Sequence, residues 1–207
     1  MKAPAIDSPD VSDQSARDKT GKTLKQWFAQ LDEFGGIEKG RRELVNHLYS
    51  GAKLDEWWAT TVVIEYERAK GVLEKDGKPK GYSICSTKTI AASLERVFKS
   101  FGEAKDLDQW LGPKTQIEFK DGGKLANADG DRATLTRIRA NKDLRLTWEH
   151  GERAPGSQIE VLFADKGKGK TGITLNHTRI QARRDADLLR AGRSAAFDRL
   201  KEHLEKA

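Results

Sequence analysis

Cysteine occurs once in this chain of 207 residues, at position 85, and methionine only at position 1. A lone thiol excludes an internal disulfide framework and any zinc site built from several thiolates. Apolar side chains are also scarce, 36% of the total against 34% charged, and no run approaches the roughly 18 apolar residues of a membrane span. The first residues lack the apolar block of a signal peptide, so the expected location is cytoplasmic. The four histidines, His47, His150, His177 and His203, are scattered without paired spacing or a nearby carboxylate cluster, so no metal is expected. No Ser or Cys has the turn context of a catalytic nucleophile, and no catalytic residue is assigned. Cys85, beside Ile84 in a strand pattern, reads as a buried, inert thiol.

The net charge of +6 is informative through its placement. Residues 1–80 hold 14 basic and 14 acidic side chains and the remainder 24 and 18, so the excess belongs wholly to the second part. There it is interleaved with acids, as in Lys142-Asp143 and Arg199-Leu200-Lys201-Glu202. Nucleic-acid recognition needs its basic residues on one face, so no specific nucleic-acid binding is expected. Ala16–Thr23 and Ala164–Thr171 match a loosened phosphate-loop pattern, with Ala for the first Gly. A working loop needs a strand before it and a helix after it. The first segment lacks the strand and the second runs from strand to strand, so no nucleotide cofactor is expected, and Lys166–Lys170 reads as a hairpin tip.

Along the chain, residues 1–19 combine Pro4 and Pro9 with polar side chains and read as a disordered tail. Residues 20–73 read as three helices. One starts at a Thr23/Gln26 capping box and ends at Gly35-Gly36, one covers Glu38–Leu48, and one runs from about Asp55 to Gly71. The β-branched run Thr60–Ile64 argues for a strand, but length and flanks favour helix. So small a unit is expected to dock its adjacent Trp57 and Trp58 on other surface. Residues 74–81, with Asp76-Gly77 and Pro79, read as a linker.

From residue 82 to 207 the pattern becomes strand, two short helices, several strands and one long helix. Strands are expected at 83–90, 117–119, 133–138, 144–148, 159–163 and 173–180. Turn chemistry separates them at Asp121-Gly122-Gly123, Asp129-Gly130, Asn141-Lys142-Asp143 and Pro155-Gly156. Ser93 caps a helix holding Leu94, Val97, Phe98 and Phe101, a second contains Leu107 and Trp110, and a last helix covers about 185–206. The expected fold class is α+β: an N-terminal three-helix unit, then an antiparallel meander closed by a long C-terminal helix.

The segments Trp27-Phe28 to Phe34-Gly35-Gly36, Trp57-Trp58-Ala59 and Tyr66–Gly71 resemble a short bacterial domain of unknown function. Residues 82–207, through Ser86–Ala92, Trp110-Leu111, Val161–Phe163 with Lys166–Lys170, Asn176-His177 and Leu200-Lys201, resemble the START-like (SRPBCC) superfamily. That superfamily includes polyketide cyclases and the C-terminal domain of the heat-shock-protein-90 ATPase activator. The resemblance implies a helix-grip domain, a curved antiparallel sheet wrapped around a long C-terminal helix over an apolar cavity. Carriers, cyclases, hydrolases and co-chaperones share this scaffold, so it implies no single activity.

Within such a fold the expected ligand-lining residues are Phe98, Trp110, Phe119, Trp148 and Phe163, with Leu175, His177 and Arg193. Strand parity puts His177 on the inward face with Ile173 and Leu175, either as a core histidine satisfied by one backbone partner or as a ligand contact. Arg193 falls on the stripe of Leu189, Phe197, Leu200 and Leu204. Either its head snorkels to water, or it joins His177 in binding the anionic end of an amphipathic ligand. The expected function is non-catalytic binding of a small apolar or amphipathic molecule. The alternatives are a co-chaperone-like protein with a chaperone ATPase as partner, and a cyclase- or hydrolase-type enzyme using His177.

Overall fold

The computed structural model describes residues 11–206, which divide into two compact units between Tyr82 and Ser83. The expectation of a disordered tail is corrected for its second half, where α1 spans Asp13–Thr20; residues 1–10 lie outside the described residues. Ser12 and Ser15 close a reciprocal capping box, Gly21 ends the helix in the left-handed conformation, and Ala16 is fully buried. Trp27 Nε1–H donates to Thr20 Oγ1 (2.7 Å), and Asp13 accepts from the Leu24 amide. Local capping and these ties to the next helix replace the apolar surface that the segment lacks.

Helix α2 (Leu24–Phe34) starts at the expected Thr23/Gln26 capping box. The single helix expected over Glu38–Leu48 is instead a 3-10 turn (Gly36–Lys39), α3 (Gly40–Asn46) and a π turn (His47–Gly51). Gly40, at φ 75°, prevents one continuous helix. α4 (Glu56–Ala69) forms despite its β-branched run, because Asp55 caps the Trp57 and Trp58 amides and Thr61 Oγ1 donates to Trp57 O. Trp27, Leu31, Leu44, Leu48, Val62 and Tyr66 build the core of this unit. Trp58 is buried, and the Trp57 ring lies 5.6 Å from that of Tyr82. Residues 74–80 close a tight turn, in which Leu73 bridges Pro79 and the Glu74 amide donates to Lys78 O.

The second unit is a seven-stranded curved sheet of order β1-β7-β6-β5-β4-β3-β2, antiparallel from β2 to β7. The strands are β1 (Tyr82–Ile90), β2 (Gln116–Ile117), β3 (Lys124–Ala126), β4 (Arg132–Arg139), β5 (Asp143–Trp148), β6 (Gln158–Asp165) and β7 (Thr171–Ile180). β3 is missing from the sequence reading because three residues are too few to show alternation. α5 (Leu94–Lys99) and α6 (Ala104–Trp110) connect β1 to β2, and α7 (Arg183–Glu205) closes the fold. A bulge between Leu135 and Arg137 shifts the β4 register and sets Ile138 opposite Leu144.

Polar contacts hold α7 along its length. Asp185 accepts from the Ala154 amide, Arg199 donates to Trp110 O at the end of α6, and Glu205 accepts from the Ala91 amide. His203 Nε2 meets Asp106 at 2.8 Å, and Arg96 grips the same carboxylate with two nitrogens. Cys85 is exposed, contrary to the buried thiol expected: Tyr82 and Ile84 take the inward positions and alternation turns position 85 outward. No helix among the described residues is long and apolar enough to cross a membrane.

Candidate functional site

Alternation along the strands aims Leu144 and Trp148 of β5, Ile159 and Val161 of β6 and Leu175 of β7 at one face. α7 lays Arg193, Ala196 and Phe197 over that face, and α6 adds Leu107 and Trp110. Between them lies a cavity of about 50 Å³. Apart from Arg193, every residue of its wall is aliphatic or aromatic. Pockets that hold drug-sized ligands measure roughly 300–1,000 Å³, so a ligand of that size enters only if wall side chains repack.

Four of the expected residues, Trp110, Trp148, Leu175 and Arg193, line this cavity. Phe98, Phe119, Phe163 and His177 do not. Phe98 packs against Phe119 (5.8 Å between centroids) and Phe163 (5.3 Å), and Phe163 against Phe101 (5.0 Å), in an aromatic cluster whose rings meet edge to face. Phe119 lies beyond the end of β2 and covers the backbone at Gly102, where an added Cβ would stand 2.6 Å from the ring. Phe101 belongs both to this cluster and to the cavity wall. Leu125 and Leu135 also line the wall and were missed. Leu135 was legible from its parity with Ala133, whereas Leu125 sits in the three-residue β3.

Trp148 carries the polar side of the site. Its indole donates to Arg153 O (3.1 Å), its ring meets His177 edge-on at 6.1 Å, and His150 stacks on it at 6.3 Å. The Arg193 guanidinium carbon lies 4.4 Å from the ring centroid, a cation–π contact. Arg193 does not snorkel: it is 4% exposed, and its Nε and Nη2 are buried with no hydrogen-bond partner. Burial lowers its pKa to about 10, against an opposing pull from Asp131.

His177 is fully buried, and its partner is a side chain, not the backbone expected. Ser157 Oγ donates to Ala154 O (2.5 Å), which spends its only proton, so at 2.7 Å it accepts from His177 Nε2–H. That leaves Nδ1 an acceptor, buried and without a partner. Burial first, and the charge of Arg193 second, hold the His177 pKa well below its ordinary value, so the ring is neutral at physiological pH. Among the described residues, no three His, Cys, Asp or Glu side chains gather as a metal site.

A curved antiparallel sheet gripping a long C-terminal helix over an apolar interior defines the helix-grip class of folds. Within it, the chain belongs to the family described as activator of Hsp90 ATPase homolog 1-like protein, whose model matches residues 91–205, more than half of the chain. Solved structures share the fold. CalU16 from Micromonospora echinospora is 18% identical over 58% of this chain and 73% of its own, with a TM-score of 0.53. The Aha1 dimer from Colwellia psychrerythraea is 17% identical over 60% of this chain and 96% of its own, at 0.54. Protein MLL2253 from Mesorhizobium loti is 15% identical over 61% and 98%, at 0.53. Identities this low show the fold alone. The comparison with curated proteins finds no match.

Proposed function

We propose that the second unit binds a small apolar or amphipathic molecule, without turnover, between its sheet and α7. The observation that carries this reading is the cavity wall, with one cationic group set among aliphatic and aromatic side chains. Binding removes the ligand's apolar body from water, worth roughly 25 cal/mol per Å². Trp110, Phe101 and Phe197 repack to admit it, since the cavity of about 50 Å³ is close to the space of one or two waters. Native mass spectrometry of the protein purified from its own host tests the proposal. A retained small molecule supports it, and a bare polypeptide mass at high occupancy contradicts it.

A second reading, contact with a chaperone ATPase, follows from the family's description. An open, largely polar hollow bordered by Arg145, Glu160, Asn176 and Thr178 is its candidate surface. The alternation that turns Leu144 and Leu175 inward turns these residues to the opposite face of the sheet. Co-purification of a chaperone ATPase, lost on Arg145→Glu, would favour this reading over the first.

A further inference from the structure

We propose that Arg193 is a carboxylate-binding residue, so that the molecule held in the cavity is an amphipathic acid with its head group on the guanidinium and its apolar body along the wall. This rests on the ligand-binding reading above and adds to it the chemical class of the ligand. Position 193 lies one turn of α7 after Leu189 and one before Phe197, both almost wholly buried, so the helix register commits the side chain to the interior.

A buried guanidinium has three ordinary sources of compensation: a carboxylate, carbonyl acceptors or water. Arg193 forms no ion pair among the described residues, and Nε and Nη2 have no acceptor. The buried carboxylate of Asp131 attracts it electrostatically but does not hydrogen-bond Nε or Nη2. His177 supplies no compensating charge, since its ring is neutral, and its Nδ1 meets no partner. Trp148 supports one face of the guanidinium at 4.4 Å but leaves the in-plane N–H groups unmet. The two bare nitrogens, Nε and Nη2, form the side-on edge that takes the two oxygens of a carboxylate in parallel hydrogen bonds. Apart from Arg193 the wall offers no polar side chain, which matches a hydrocarbon or aryl body.

The test uses the full chain with octanoate and 1-octanol as probes, titrated calorimetrically at neutral pH into the unmodified protein, Arg193→Met and Arg193→Lys. The expected result is octanoate binding at least tenfold tighter than octanol in the unmodified protein. Arg193→Met should abolish that preference by weakening octanoate alone, and Arg193→Lys should restore part of it. Equal affinities for acid and alcohol in the unmodified protein would overturn the carboxylate assignment and leave the cavity reading standing. Binding of neither probe would overturn both. The comparison within the unmodified protein decides the matter even if a variant fails to fold.

Discussion

Arg193 and His177 illustrate how two buried polar side chains shape both stability and recognition. A guanidinium without an acceptor in an apolar wall is a net cost to the fold, so Arg193→Met should raise the stability of the protein without added ligand by about 1–4 kcal/mol. Urea denaturation measures this, and a loss of stability would mean that Arg193 is compensated. His177 gives a signed pH dependence. Its pKa is held well below the ordinary 6.5, so below that value the unfolded chain binds a proton that the folded protein refuses. Stability should therefore fall with pH by up to about 1.4 kcal/mol per unit until the buried ring itself titrates. His177→Gln, which can still bond Ser157, should lose less stability than the unmodified protein between pH 7.5 and 5.5, and equal losses would refute the assignment. The inward placement of both residues was legible from strand parity and helix register. Their surroundings were not, because the Ser157 bond to His177 and the Trp148 ring against Arg193 join residues remote in sequence.

Short-range chemistry in the elements was largely open to reading. Ser93, Thr23 with Gln26, and Asp55 are caps where their side chains allow them to be, and the long strands follow alternation. What escaped was short or depended on distant contacts: β3, the helix before Gly21, and the break at Gly40. The β2–β3 turn shows why three residues matter. A Cβ on Gly123 would stand 1.9 Å from Glu118 O, so Gly123→Ala should cost about 2 kcal/mol or more and disturb Ile117 and Leu125 in the cavity wall. Thermal unfolding checks this, and an unchanged midpoint would show that the turn relaxes freely. Asp106 joins three helices by receiving Arg96 from α5 and His203 from α7. The Arg96 guanidinium first, and His203 after it, hold its carboxyl below the ordinary 3.8. This contribution is present above the ordinary carboxylate value and is lost as the pH falls through the lowered one. Asp106→Asn should accordingly destabilise by about 1.5–3 kcal/mol at pH 7, and the gap should narrow below about pH 4. A gap independent of pH would point to packing instead of charge.

At the scale of the molecule, the α+β class and the closing helix were apparent from the change from helical to alternating periodicity near residue 82. The division of the aromatic residues was not. Phe98, Phe119 and Phe163 have the spacing of cavity residues, yet ring-on-ring packing gathers them into a cluster that adjoins the cavity through Phe101 and leaves Trp110 and Trp148 on the wall. Periodicity reports which face a residue takes, whereas sorting buried rings between core and cavity depends on three-dimensional neighbours. The central claim is that the space between sheet and α7 opens for an apolar guest. Its most direct test is a nitrogen-15 and methyl-carbon NMR titration of the full chain with 1-octanol, read at the two indole N–H groups that donate to Ser100 O and Arg153 O, those of Trp110 and Trp148. The account predicts saturable shifts at these indoles and at the methyls of Leu144, Val161 and Leu175, with Arg145, Glu160 and Asn176 unmoved. No shift at the cavity wall, or shifts confined to the opposite face of the sheet, would contradict it.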